Sequence, residues 1–375
     1  MPCINKLIPL GIALLFSILL YSCTEKFFPE IKATNSILVV DGKITNKSGP
    51  YEVKLFKTVD VDSNDSLFPE SNAIITINCS DGSTNLLLEN EPGIYLTQDS
   101  EFVGEIGKSY WVEIITSDSH KYESIPEEIQ SEIQIKTIYG EEDEVVVDID
   151  EKRQAVKFYF DIENPENNSS YYVWNYRESW EWHVLRQIPK SEDPAYICYP
   201  TTNPSKVNLF DASILTEKKI NHLPLSTIDE NEVKLLHSYY LTVDAYTVSE
   251  TCFNFWQNIK KISQSDGSLF DVIPSSVFGN IQSCDDDTEV LGYFQVSSHS
   301  TYGNLFTEDS YNIEFPIQAR ECNVFELVGD SYVPGKYHYI KERIDDSGEI
   351  IYTVQNNFCY DCSLKYPSNK PSFWF

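Results

Sequence analysis

The chain has 375 residues and carries 58 carboxylates against 28 lysines and arginines, a net charge of −30. So acidic a surface repels nucleic-acid phosphates and anionic headgroups alike, which excludes a nucleic-acid partner and leaves a covalent lipid to hold the chain to a membrane. The length suffices for two or three domains with their own cores, and most of the charge reads as a solvated, soluble surface.

The first predicted element is an export signal. Lys6 precedes an apolar run from Leu7 to Leu20, and Leu20-Tyr21-Ser22-Cys23 reads as a lipobox. As a helix, those 14 residues cover ~21 Å, short of the ~30 Å hydrocarbon core, so the run is a signal and not a span. On this reading residues 1–22 are removed and Cys23 is acylated. Several acyl chains at ~0.8 kcal/mol per buried methylene make the attachment lasting. Only Lys6 leaves with the signal, so the mature chain stands at −31. Thr24 occupies the place where an aspartate would favour inner-membrane retention in some bacteria, so the outer membrane is the expected address, with residues 23–35 as a tether.

Residues 36–128 read as an N-terminal β-sandwich. Short β-rich runs, Ile37 to Val40, Tyr51 to Thr58, Ala73 to Cys79, Thr84 to Leu88, Ile94 to Thr97, Tyr110 to Thr116 and His120 to Ser124, are split by turn signals such as Asp81-Gly82 and Pro92-Gly93. Seven strands at that spacing suggest an immunoglobulin-like or fibronectin-like sandwich. Gly107-Lys108-Ser109-Tyr110 has the pattern of a tyrosine corner, a structural tie rather than a site.

Residues 129–375 read as a second β-rich domain, with Glu141-Glu142-Asp143-Glu144 as a solvated turn. Val156, Phe158 and Phe160 alternate with polar partners, Tyr171 to Val184 is an aromatic strand or hairpin, Ile188 to Leu235 is less regular, and Ser238 to Val248 is strand-like. One helix is predicted at about 250–264. Cys252, Phe255, Trp256, Ile259 and Ile262 form its stripe, Ser249 or Thr251 caps it, and Asp266-Gly267 ends it. Val290 to Val296, Ile313 to Pro316, Val324 to Val328 and Ile350 to Val354 supply further strands. The expected architecture is all-β, two sandwiches with one helix and disulfide-tied loops in the C-terminal part.

With Cys3 cleaved and Cys23 acylated, seven cysteines remain. In an oxidising envelope Cys198, Cys252, Cys284, Cys322, Cys359 and Cys362 are the disulfide candidates, and Cys79 is left as a small buried hydrophobe; the sequence does not choose the pairing.

These pieces resemble the Bacteroidota lipoprotein family built on the domain of unknown function DUF4249. The matching residues are Ile37 to Gly42 with Ile44-Thr45, Gly107 to Tyr110, Gly267 to Asp271 with Pro274-Ser275, Gly279-Asn280-Ile281, Leu291 to Phe294, Cys359 to Cys362 and Lys370 to Trp374. Genes of that family commonly sit beside those of TonB-dependent outer-membrane receptors, so the resemblance implies an accessory of an importer with such a receptor as its partner.

No motif for a nucleophile elbow, a zinc protease helix or a phosphate loop occurs, and the six histidines are scattered singly. No enzyme activity, cofactor or metal is therefore expected. Asp60, Asp62, Asn64 and Asp65 begin like a calcium loop but lack the glycine and the closing glutamate, and Asp285-Asp286-Asp287 reads as a solvated turn. Asp65-Ser66-Leu67 resembles an O-glycan acceptor, at Ser66. Trp174, Trp180 and Trp182 are the candidate ligand or partner contacts; Trp174 shares a strand face with Tyr172 and Tyr176, which also suits a core, whereas Trp180 and Trp182 are expected to be exposed. The expected function is a non-catalytic outer-membrane lipoprotein assisting nutrient uptake, the alternative being an adhesin or envelope scaffold that binds protein or glycan.

Overall fold

The structure, a computed structural model, describes residues 36–58, 67–99, 101–149, 151–166, 169–184, 196–217, 219–263, 277–314 and 322–374. Cys23, Ser66, the partial calcium pattern at 60–65 and the helix stop at Gly267 lie outside the described residues. Among the described residues no helix is long and apolar enough to cross a membrane.

The first strands are β1 (Leu38–Thr45), β2 (Glu52–Thr58), β3 (Leu67–Pro69), β4 (Ile74–Cys79), β5 (Thr84–Glu91), β6 (Ile94–Thr97), β7 (Ser109–Ile115), β8 (Lys121–Ser124) and β9 (Glu127–Glu128). All seven predicted runs are here, because each alternates as a half-buried strand must: Val40 and Ile44 in β1, and Tyr110, Val112 and Ile114 in β7, point into one core. Gly93 turns between β5 and β6 at φ +74°, and a Cβ there would meet the Leu55 carbonyl oxygen at 2.6 Å. The Tyr110 hydroxyl accepts the Glu105 N–H at 2.9 Å, which makes the expected corner.

The chain continues through β10 (Gln134–Asp148), β11 (Glu151–Glu163), β12 (Tyr171–Trp180), β13 (Trp182–His183), β14 (Ile197–Cys198), β15 (Thr201–Thr202), β16 (Asn208–Asp211), β17 (Lys219–Asp229) and β18 (Tyr239–Val248). Helix α1 (Glu250–Ser263) follows, then β19 (Ile281–Ser283), β20 (Val290–Phe306), β21 (Phe325–Val328), β22 (Tyr337–Ile344) and β23 (Ile350–Asn356). The acidic run 141–144 is no turn. It lies inside β10, paired with β11, and the hairpin reverses only between Asp148 and Glu151. The cations of β11 hold it there, Lys157 bonding Asp143 and Lys152 bonding Glu144 at 2.9 Å. Ile313 and Glu314 are not strand, and 315–316 lie outside the described residues.

The main sheet runs β15-β12-β18-β20-β1-β2-β6-β5-β4-β7-β8-β19. Its splice is β20, whose first half pairs parallel with β1, Leu38 opposite Val290, and whose second half pairs antiparallel with β18, Tyr239 opposite Phe306. β19 likewise pairs with β8, so residues far beyond 128 complete the sheet built by the N-terminal strands. The separate sheet β10-β11-β17 lies against the β12-β18 region through a shared core. In it Phe158 meets Tyr239 at 5.2 Å and Phe306 at 4.9 Å between ring centres, and each such buried ring contributes roughly 1.5–3 kcal/mol. The fold is all-β, of sandwich type, with α1 as the helix of the described part.

Two disulfides form in the C-terminal part, Cys198–Cys362 and Cys322–Cys359. They lie in one cluster with Trp182 and tie the sheet β21-β23-β22 and its flanking loops to β14.

Candidate functional site

On one face of the main sheet, across the neighbouring strands β12, β18, β20, β1 and β2, lies a cleft of about 550 Å³. Strand alternation sets its floor. Val40, Gly42 and Ile44 of β1 face the N-terminal core or close against it, so Val39, Asp41 and Lys43 face the other way, into the cleft. The parallel register of β20 puts Tyr293 beside Asp41 and Gln295 beside Lys43. Val173 of β12 and Tyr246 of β18 extend the same face.

Helix α1 and the segment 204–207 form the walls. The helix is held in place by its own sequence. Ser249 caps it, its hydroxyl accepting the Cys252 N–H at 3.0 Å, and Cys252, Phe253 and Phe255 are buried against the sheet. Phe255, Trp256 and Ile259 then border the cleft. Gln295, only 7% exposed, locks the helix to the floor: its side-chain oxygen accepts from Trp256 Nε1 at 3.0 Å and lies 3.8 Å from the Cys252 sulfur, while its amide donates to Ser297 Oγ at 3.0 Å.

Three of the quoted sequence pieces converge beside this floor. A Cβ on Gly279 would lie 1.6 Å from the Gly292 carbonyl oxygen, and one on Gly292, at φ +91°, would lie 1.9 Å from that of Val40. Asn280 brackets Phe294, donating to its carbonyl at 2.9 Å and accepting its N–H at 3.0 Å. The fragments around 40, 280 and 292 are thus one close-packed backbone junction. Another piece, the tail at 370–374, docks on β18, with Phe373 and Trp374 against Tyr240.

The electrostatics of the cleft differ from those of the chain. Its lining carries Lys43, Lys54 and Lys206 against Asp41 and Glu52. Lys54 bonds Glu52 at 2.9 Å, and that bond, with Asp41 nearby, raises its pKa. Lys43 donates to the Tyr246 hydroxyl at 3.4 Å and sits 5.1 Å from the centre of that ring. Burial and the charge of Lys206 push the Lys260 ammonium, one residue beyond Ile259, below its ordinary value.

Of the buried carboxylates outside this lining, Glu178 and Glu127 sit in contrasting surroundings. Glu178, its side chain 4% exposed, takes hydrogen bonds from Ser226 and from Tyr239 at 2.8 Å and pairs with Lys234 at 3.1 Å. Burial alone would push it up, but the Lys234 charge and the hydroxyl bonds outweigh that and hold it below the ordinary carboxylate range. Glu127 is buried in β9. One oxygen accepts from the Tyr293 hydroxyl, and the other has no hydrogen-bond partner. Burial pushes its carboxyl up, and the neighbouring Tyr293, Ser249 and Asn280 offset this only in part.

The sequence candidates fall as follows. Trp174, Trp180 and Trp182 are 4%, 7% and 8% exposed, so none offers a ring to a ligand or partner. Trp174 borders the cleft through its strand, but its ring lies in the core between the sheets. Trp180 is in that same core, and Trp182 packs on the disulfide cluster against Phe358 and Tyr366. Glu178, two residues before Trp180, is itself buried, and Lys234 covers the Trp180 ring. Of the six disulfide candidates, Cys252 and Cys284 do not pair. Cys252 is buried on the sheet-facing side of α1, and Cys284 is exposed just past the end of β19, its N–H donating to the Lys121 carbonyl at 2.8 Å. Cys79 is a free buried thiol in the first core. Among the described residues no group of three or more histidine, cysteine, aspartate or glutamate side chains is placed to hold a metal. The sequence reading missed the cleft because its lining comes from separate segments, although the α1 stripe and the alternation of β1 each marked one wall.

No curated protein and no solved structure matches this chain. The model of DUF4249, a domain of unknown function, matches residues 24–303, which cover the sheet splice, α1 and the cleft, and the chain belongs to that family.

Proposed function

We propose that this protein is a non-catalytic binding lipoprotein of a Bacteroidota outer membrane, anchored through Cys23, that assists a TonB-dependent receptor by presenting a ligand cleft at its mouth. The observation that carries the reading is the cleft itself, of a size suited to a small ligand, set between a packed sheet and a capped helix. The lipobox supports the anchor, and the family region, which starts at residue 24, begins directly after the lipobox cysteine. Energy for uptake would come through the partner.

A second reading, an adhesin or envelope scaffold, draws on the sheet β21-β23-β22, where Tyr339, Ile340 and Ile344 of the outer strand β22 are exposed. The two readings separate when the tagged protein is purified from gently detergent-solubilised outer membrane and its partners are identified by mass spectrometry. An equimolar TonB-dependent barrel is the expected result. Recovery of the protein alone, or with unrelated envelope proteins, would overturn the accessory reading in favour of the second.

A further inference from the structure

We propose that the cleft takes a small amphipathic anion, with a flat apolar body lying along the helix wall and a carboxylate or other acidic head held by Lys43 and Lys206. The inference rests on the cleft being a binding site, and it names the class of ligand.

The apolar half of the argument is the wall. Phe255, Trp256 and Ile259 on one side and Val39 and Val173 on the floor give a surface against which a ring or short chain loses water without leaving a polar group unpaired. Gln295 at the floor already has its oxygen committed to Trp256, so that wall offers a planar indole edge rather than a competing acceptor.

The anionic half is a matter of which charges remain uncompensated. The chain has more than twice as many carboxylates as cations, so a lysine without a carboxylate partner is against the odds. Lys54 is neutralised by Glu52, with Asp41 opposite it across the β1–β2 ladder. Lys43 has the Tyr246 ring and hydroxyl beside it, Gln295 opposite it on β20 and Asp41 two residues away on the same face, yet among the described residues neither Lys43 nor Lys206 makes a salt bridge, and Lys206 lies near the like charge of Lys260 at the other wall. Lys206 and Lys260, like charges at one wall, gain when an anion enters beside them. In a partly desolvated cleft such an attraction is several times stronger than in open water. The surrounding negative surface deters anions over most of the molecule, so the patch also directs an acidic ligand to one place.

The test uses the full lipid-anchored protein in detergent, with protein-free micelles as the blank, and two probes of one shape: naphthalene-2-sulfonate and the neutral 2-naphthol. Calorimetry should show the sulfonate bound about tenfold more tightly than the naphthol, the equivalent of one well-placed charge contact. Lys43→Gln with Lys206→Gln should remove that difference and leave naphthol binding unchanged, whereas Val39→Trp, which fills the floor, should weaken both probes. Equal binding of the two probes by the native protein, or an unchanged preference in the double lysine variant, would overturn the inference. Receptor co-purification is scored separately, on the native protein. A barrel recovered without a sulfonate preference sinks the ligand class and leaves the accessory reading standing; a sulfonate preference without a barrel does the reverse.

Discussion

The Glu178 cluster shows how a buried charge is made tolerable. A carboxylate removed from water costs several kcal/mol unless it is paired and hydrogen-bonded, and here Ser226, Tyr239 and Lys234 supply the partners. Lys234→Met strands the carboxylate and should cost about 3 kcal/mol in chemical denaturation, whereas Glu178→Leu combined with Lys234→Met should cost much less. The pH dependence has a definite sign. The folded carboxyl titrates below the unfolded one, so the stability it contributes is complete above the ordinary carboxylate range and is lost as pH falls through the folded value. Glu127 has the opposite sign. Its folded carboxyl titrates above the unfolded one, so its contribution is full in acid and is lost as pH rises through the folded value. Glu127→Gln, which keeps an acceptor for the Tyr293 hydroxyl, should therefore raise the melting temperature in mild alkali and leave it nearly unchanged in acid. A uniform shift at all pH would contradict this. Tyr110→Phe removes the acceptor for the Glu105 amide and should cost about 1–2 kcal/mol in the same assay. Burial pushes the Tyr110 phenol up to about 12, the Glu105 bond offsetting this only in part, so the corner stays intact through ordinary alkaline conditions.

At the level of elements, the disulfides decide how the C-terminal part is attached. Cys198–Cys362 closes a separation of 164 residues, and in the chain-entropy model a loop that long is worth about 5 kcal/mol. Replacing both cysteines by serine should lower stability by that order and expose Trp182, which fluorescence would register as a red shift. Local pattern made the seven N-terminal strands, the helix and its Ser249 cap legible, because each depends on residues near in sequence. What stayed hidden depends on partners far away. The parallel pairing of β20 with β1 joins residues about 250 apart, leaving no local mark. The acidic run in β10 reads as a turn until Lys152 and Lys157 of the opposite strand are placed beside it. Trp180 and Trp182 sit among charged neighbours in sequence, yet Lys234 and the disulfide cluster cover them. Which cysteines pair was likewise a matter of where β14 meets the C-terminal loops, and Cys252 was lost to pairing once the α1 stripe carried it under the helix.

For the whole molecule, the surplus of carboxylates separates the means of attachment from the means of recognition. A body at −31 after the proposed processing would gain nothing from an anionic bilayer, so the attachment we propose is covalent, while the cleft lining carries three lysines against two carboxylates. The proposed role as an anchored lipoprotein therefore turns on Cys23. Envelope fractionation of the native chain and of Cys23→Ser, with the mass of the mature N-terminal peptide, tests it directly. The expected result is a native chain that begins at an acylated Cys23 in the outer-membrane fraction and a variant that leaves the membrane. An unmodified Cys23, or a variant still sedimenting with the outer membrane, would contradict it.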